Sequence, residues 1–145
     1  MTKNALRVTE IFYSIQGEST KTGLPTVFVR LTGCPLRCIY CDTEYAFTGG
    51  ENLKISEAIE TIKALSSQYV CITGGEPLAQ PNVHILMNEL VQLDYDISLE
   101  TSGYIDISNV NSKVKIIMDI KTPQSGEVDK NNWKNINLLK NDDEI

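Results

Sequence analysis

The sequence is short of basic residues, of histidine and of long apolar runs, and each shortage excludes a class of function. Lys and Arg number 13 against 19 Asp and Glu, for a formal charge of -6 and a pI near 4.8. A groove for nucleic acid needs a basic face that releases counterions, so direct contact with RNA or DNA is excluded. No apolar run approaches the roughly 20 residues of a membrane span. The start, Met-Thr-Lys-Asn-Ala-Leu-Arg, lacks the apolar stretch of a signal peptide, and a cytoplasmic location is expected. There is one histidine, His84, and it falls on an expected helix. Of only four cysteines, three crowd between positions 34 and 41, and Cys71 lies in an apolar run. That clustering favours a metal site over a disulfide framework. Neither an internal repeat nor a low-complexity segment is present.

With 145 residues and 41% hydrophobic content, the chain has material for one core, hence a single domain over 1–145. β-branched and apolar alternation predicts strands over residues 7–13, 26–32, 69–73, 95–100 and 114–120. Ser56 is placed to cap a helix running to about residue 66, with Ala58, Ile59, Ile62 and Leu65 on its apolar face. A second helix follows Pro81, with Val83, Leu86, Met87, Leu90 and Val91 at helical spacing. A third, over 131–140, is expected to bury Trp133, Ile136 and Leu139 before a turn at Asn141-Asp142-Asp143. Alternating strands and helices imply an α/β fold with parallel pairing, an incomplete parallel β/α barrel.

In such folds the loops at the carboxyl ends of the strands share one face. Four unusual patterns sit at those ends: the cysteine loop, Thr73-Gly74-Gly75-Glu76-Pro77, Glu100-Thr101-Ser102-Gly103, and Asp119-Ile120-Lys121-Thr122-Pro123. Cys34, Cys38 and Cys41 form C-x3-C-x2-C, a soft sulfur set suited to zinc, copper(I) or an iron–sulfur cluster. Structural zinc takes four ligands, and a zinc knuckle would have to recruit Cys71 or another chain. Three thiolates on a 4Fe-4S cluster leave one iron open to an outside ligand. The Gly74-Gly75 pair permits close backbone approach, and Glu76 can accept from an ammonium group. Glu100 and Ser102 offer acceptors, and Lys121 a cation for a carboxylate. His84 and Cys71 are read as structural.

C-x3-C-x2-C followed by Gly-Gly-Glu resembles the radical S-adenosylmethionine (SAM) superfamily, in which the open iron chelates SAM and an electron from the cluster cleaves its sulfonium. The wider combination is more specific. Gln16-Gly17-Glu18, residues 28–38 (FVRLTGCPLRC), Tyr40-Cys41-Asp42-Thr43, TGGEPL, LETSG and DIKTP together look like the 7-carboxy-7-deazaguanine synthase family over essentially the whole chain. That resemblance implies a lyase that converts 6-carboxy-5,6,7,8-tetrahydropterin to 7-carboxy-7-deazaguanine, on the route to queuosine. It further implies that Ile15, Gln16, Gly17, Arg30 and Thr73 contact the pterin, and that Thr43 ligates Mg2+. Tyr40, Cys41, Asp42, Gly75, Glu76, Glu100, Ser102 and Lys121 would surround SAM. An external, flavodoxin-like electron donor and a homodimer are implied by the resemblance alone.

The family continues past the position of Ile145 with further strands and helices, so the chain is expected to represent roughly the first two-thirds of such an enzyme and to lack its last strands. Two other readings share the cluster loop: a radical SAM activase with a different substrate, and a truncated cluster-binding fragment without turnover.

Overall fold

The computed structural model describes residues 4–145; Met1 to Lys3, the first part of the polar start, lie outside the described residues. Six strands form one sheet in the order β3-β1-β2-β4-β5-β6. They are β1 (Ala5–Ile15), β2 (Pro25–Leu31), β3 (Glu51–Lys54), β4 (Tyr69–Gly74), β5 (Asp96–Thr101) and β6 (Lys115–Met118). β2, β4, β5 and β6 pair in parallel, whereas β1 runs antiparallel to both β2 and β3. The expected parallel pairing holds for β2, β4, β5 and β6, and an antiparallel margin of β1 and β3 precedes and flanks the first parallel strand. β1 and β2 are joined by a short turn, which permits only antiparallel pairing. β3, three polar residues around the single apolar Leu53, has no alternation and carries no sequence signal of a strand; it forms because β1 offers an edge.

Alternation along the strands separates two faces. Val27, Val29, Leu31, Val70, Ile72, Ile97, Leu99, Ile116 and Met118 share a core with the helices α1 (Ile55–Ala64) and α2 (Val83–Gln92). The intervening residues, Phe28, Arg30, Cys71, Thr73, Ser98, Glu100 and Ile117, point to the opposite face. A register shift between Val8 and Glu10 changes the face of β1 midway, so Val8 joins the helix-side core while Glu10 stands opposite Arg30.

Both helices bury the stripes that their spacing predicts: Ile55, Ala58, Ile59 and Ile62 on α1, and Val83, Leu86, Met87 and Leu90 on α2. Ser56, however, lies inside α1 and does not cap it. Lys54 is the cap position, and its N–H donates to the Glu57 carboxylate at 3.0 Å. The expected last helix is instead a 3-10 run, Trp133–Leu138, with Trp133 58% and Ile136 40% exposed. Asn135 faces inward in their place. Its amide donates to the carbonyls of Gly103 (3.0 Å) and Ile105 (2.9 Å), and its oxygen accepts from Ile107 N–H (3.3 Å). Leu139 does pack against the core.

Beyond the turn at 141–143, Glu144 pairs in parallel with Ile117 of β6. Its carboxylate also accepts from the backbone N–H of Thr20 (3.0 Å), the Thr20 hydroxyl (2.6 Å) and Lys115 Nζ (2.6 Å). This contact ties the β1–β2 turn to the far margin of the sheet. No helix among the described residues is long and apolar enough to cross a membrane.

Candidate radical SAM site

All four sequence patterns meet at the carboxyl ends of β2, β4, β5 and β6, around a cavity of about 600 Å³. Fifteen of the sixteen residues singled out from the sequence line it: Ile15, Gln16, Gly17, Arg30, Cys34, Cys38, Tyr40, Cys41, Asp42, Thr43, Thr73, Gly75, Glu100, Ser102 and Lys121. Glu76 is the exception. It is fully buried, and its carboxylate accepts from Leu78 N–H, Thr101 Oγ1 and both the N–H and hydroxyl of Ser102. A direct approach to a ligand ammonium is closed to it in this arrangement.

The cysteine loop begins at Gly33, whose φ of 98° is one that an L side chain rarely adopts. Its N–H donates to Ala46 O (2.7 Å), and its carbonyl accepts from Glu76 N–H (2.8 Å). Further along, Arg37 folds back onto the carbonyls of Cys34 and Leu36, both at 2.6 Å, and stacks over Phe47. Its backbone N–H donates to Glu127 at 2.6 Å, and Ile39 N–H donates to Ser125 O at 2.9 Å. The loop is thereby pinned on both sides while its three free thiols stay half-buried at the cavity wall.

Burial pushes the thiol pKa of Cys34 up, and the nearby Glu76 carboxylate and the two other cysteines add to this. Burial also raises that of Cys38, against the lowering influence of Lys121. Thiols such as Cys34 and Cys38, which burial disfavours as free thiolates, gain from a cationic centre that takes them in that form. Among the described residues no three His, Cys, Asp or Glu side chains gather as ligands of one metal ion. A cluster, which takes each thiolate on a different iron, fits this donor set better than a single zinc ion does. Cys71 is fully buried on the sheet, its pKa pushed up by burial, and belongs to the structural residues, as expected.

Across the cavity, Arg30 donates from Nε to Glu10 at 2.8 Å, and Glu10 also accepts from the Tyr45 hydroxyl at 2.7 Å. The Tyr45 bond, reinforced by the Arg30 charge and opposed by partial burial, holds the Glu10 pKa below the usual carboxylate range. Of the outer groups of the Arg30 guanidinium, Nη1 reaches the Gly74 carbonyl at 3.5 Å, and the remaining N–H groups are left for the cavity. Glu10 and Tyr45 were not singled out from the sequence; only the strand register that pairs Glu10 with Arg30 reveals them. Gln16 is 3% exposed, and its Nε2 has no hydrogen-bond partner. A buried amide donor without an oxygen or nitrogen acceptor is costly; the Cys71 sulfur beside it is at best a weak one, and Gln16 lines the same cavity. Thr73 donates to Glu100 at 2.9 Å, and Thr43 donates to Asp42 at 2.7 Å. Lys121 pairs with Asp119; burial alone would lower its pKa, but the Asp119 hydrogen bond and charge raise it on balance.

Comparison with known proteins agrees with this geometry. The chain is 42% identical over 137 residues to a 7-carboxy-7-deazaguanine synthase of Methanospirillum hungatei, covering 94% of this chain and 56% of that protein. Synthases of the same name from Koribacter versatilis and Chlorobaculum tepidum are 43% and 41% identical, over 97% and 99% of this chain and 63% and 65% of theirs. The chain therefore spans a little under two thirds of the length of these relatives. A crystal structure of QueE from Escherichia coli shares the fold with a TM-score of 0.74 at 23% identity, covering 88% of this chain and 69% of that one. The sequence model of the radical SAM superfamily matches residues 28–121, from the middle of β2 through the cysteine loop to Lys121. Since that stretch contains all three cluster cysteines and every strand end around the cavity from β2 to β6, the chain belongs to the radical SAM superfamily, whose cofactors are a 4Fe-4S cluster and SAM.

Proposed function

We propose that this chain carries the catalytic site of a 7-carboxy-7-deazaguanine synthase, a lyase that takes 6-carboxy-5,6,7,8-tetrahydropterin to 7-carboxy-7-deazaguanine with loss of ammonia and ring contraction. The observation that carries the reading is the half-committed guanidinium of Arg30 and the unpaired amide of Gln16, on two residues that line the same cavity as the three cysteines. A cluster needs only the cysteines. Unspent donors opposite them ask for a second, acceptor-rich ligand, and a carboxylated pterin is one.

The cluster and SAM, when bound, supply one-electron cleavage of the sulfonium and hydrogen abstraction from the substrate. Cys34, Cys38 and Cys41 would hold the cluster. Tyr40, Asp42, Gly75, Glu100, Ser102 and Lys121 would surround SAM. Arg30 would bind the pterin carboxylate, oriented by Glu10 from behind. Gln16 Nε2 would donate to a ring acceptor, with Ile15, Gly17 and Thr73 as further contacts. Because the Thr43 hydroxyl proton already goes to Asp42, its lone pairs remain for a hard cation, and we assign Mg2+ there. The reading also includes an external one-electron donor of flavodoxin type and a homodimer.

The test is anaerobic cluster reconstitution of this chain, then dithionite reduction with SAM and 6-carboxytetrahydropterin, with 5'-deoxyadenosine and 7-carboxy-7-deazaguanine measured together. Both products are expected. 5'-Deoxyadenosine alone would refute the substrate, and neither product from a fully loaded cluster would refute catalysis by this chain.

A further inference from the structure

We infer that Glu76 is a positioning residue that directs the hydroxyl proton of Ser102 away from the cavity, so that Ser102 meets the methionyl part of SAM only as an acceptor for the N–H of its amino group. The inference rests on the reading that SAM occupies this cavity; what it adds is the role of Glu76 and the polarity of Ser102.

Each Glu76 oxygen already receives a backbone N–H, Leu78 on Oε1 at 3.0 Å and Ser102 on Oε2 at 2.8 Å. Thr101 Oγ1 lies 2.9 and 3.0 Å from the two oxygens, and Ser102 Oγ is 2.6 Å from Oε2. Two backbone N–H groups already donate to the carboxylate, and the Thr101 and Ser102 hydroxyls donate to the same two oxygens. A serine hydroxyl has one proton. Once that proton points at Glu76, Ser102 Oγ has only lone pairs left, one of them weakly engaged by Tyr104 N–H at 3.4 Å. Ser102 lines the cavity and Glu76 does not. No Lys or Arg pairs with Glu76 among the described residues. Its negative charge is carried outward through Ser102 to the cavity wall, where a donor group is favoured and an acceptor is repelled.

Glu76→Gln keeps the shape of the side chain. In one orientation its amide donates to Ser102 and turns the hydroxyl proton into the cavity; in the other it offers a neutral, weaker acceptor. SAM affinity of the cluster-reconstituted chain, measured by anaerobic equilibrium dialysis, is expected to fall about tenfold. Affinity for 5'-methylthioadenosine, which has the nucleoside and sulfur but no amino group of the methionyl kind, should stay within about twofold of the parent. A general loosening of the fold would weaken both ligands. In a Ser102→Ala background, Glu76→Gln should cost less than about twofold further, because the pathway through the hydroxyl is gone. An undiminished effect there would mean that Glu76 acts on SAM without Ser102, and would overturn the inference. Unchanged SAM affinity in Glu76→Gln would also overturn it. If the parent chain bound 5'-methylthioadenosine but not SAM, the assignment of SAM to the cavity would fail first, and the role of Glu76 with it.

Discussion

Replacing Gly75 by alanine tests how the Gly-Gly-Glu turn and the cysteine loop depend on each other. A Cβ at Gly75 would lie 2.0 Å from the carbonyl oxygen of Gly33 and 2.7 Å from its carbon, whereas real Cβ atoms essentially never come under 3.0 Å. The obstruction is backbone, so it cannot be relieved by a rotamer change. Gly33 must withdraw by about 1 Å, and it is the residue before Cys34. Withdrawal on that scale also breaks the 2.8 Å bond from Glu76 N–H to Gly33 O. A buried N–H left unpaired costs about 1–3 kcal/mol. Overpacking adds about 1–3 kcal/mol. The sum, about 2–6 kcal/mol, is a large share of the roughly 5–15 kcal/mol that holds a domain folded. Thermal unfolding of Gly75→Ala should fall by roughly 5–15 °C. Iron bound per chain after anaerobic reconstitution should fall with it, since Cys34 moves with Gly33. Gly17→Ala is the control, because a Cβ there meets nothing within 4 Å. A Gly75→Ala protein with the melting temperature and iron content of the control would refute the argument.

Cys34→Ala, Cys38→Ala and Cys41→Ala should each reduce the reconstituted iron from about four per chain to a small fraction. Cys71→Ala should bind iron normally and lose only about 1–2 kcal/mol of stability, measured by urea unfolding, from its small buried void. Arg30→Lys, without the planar fork that engages Glu10 and still reaches the cavity, should raise KM for the carboxylated pterin about tenfold or more. Its uncoupled formation of 5'-deoxyadenosine should be unchanged, and an unaltered KM would count against the carboxylate contact. The Lys115 ion pair and Thr20 bonds pull the pKa of Glu144 from its ordinary 4.5 to about 2. Such a depressed carboxylate stabilises the fold above its unfolded pKa and loses that contribution as pH falls from about 4.5 to about 2. The loss, about 1 kcal/mol at this partly exposed site, should be missing in Glu144→Gln when urea unfolding at pH 3 and pH 7 is compared.

The parallel strands and both long helices were legible in the sequence because each carries an apolar period that burial enforces. So was the position of the site, since four polar or glycine-rich patterns interrupt that periodicity at the same ends of the strands. What escaped has no periodicity of its own. β3, apart from Leu53, is exposed and polar and exists only as a partner of β1. The change of face at the Val8–Glu10 shift, which brings Glu10 to Arg30, depends on one extra residue in a ladder. Trp133 and Ile136 have the spacing of a buried helix face, yet three hydrogen bonds to Asn135 outweigh it, and the polar side chain takes the interior. Glu76 shows the same limit in the site itself. Its motif marks it as a ligand-binding residue, and only the placement of Thr101 and Ser102 shows where its acceptor capacity is spent.

The contact between Thr20 and Glu144 joins residues 124 positions apart in the chain. Entropy makes it unfavourable to close so long a loop before shorter contacts have formed. β2, β4, β5 and β6 must first align to bring the two ends together, which dates this contact to the last stage of folding. Its free energy therefore resides after the rate-limiting step: weakening it leaves the speed of refolding alone and shortens the lifetime of the folded chain. The turn that carries Gln16 into the cavity is held by the bond that the folding chain makes last.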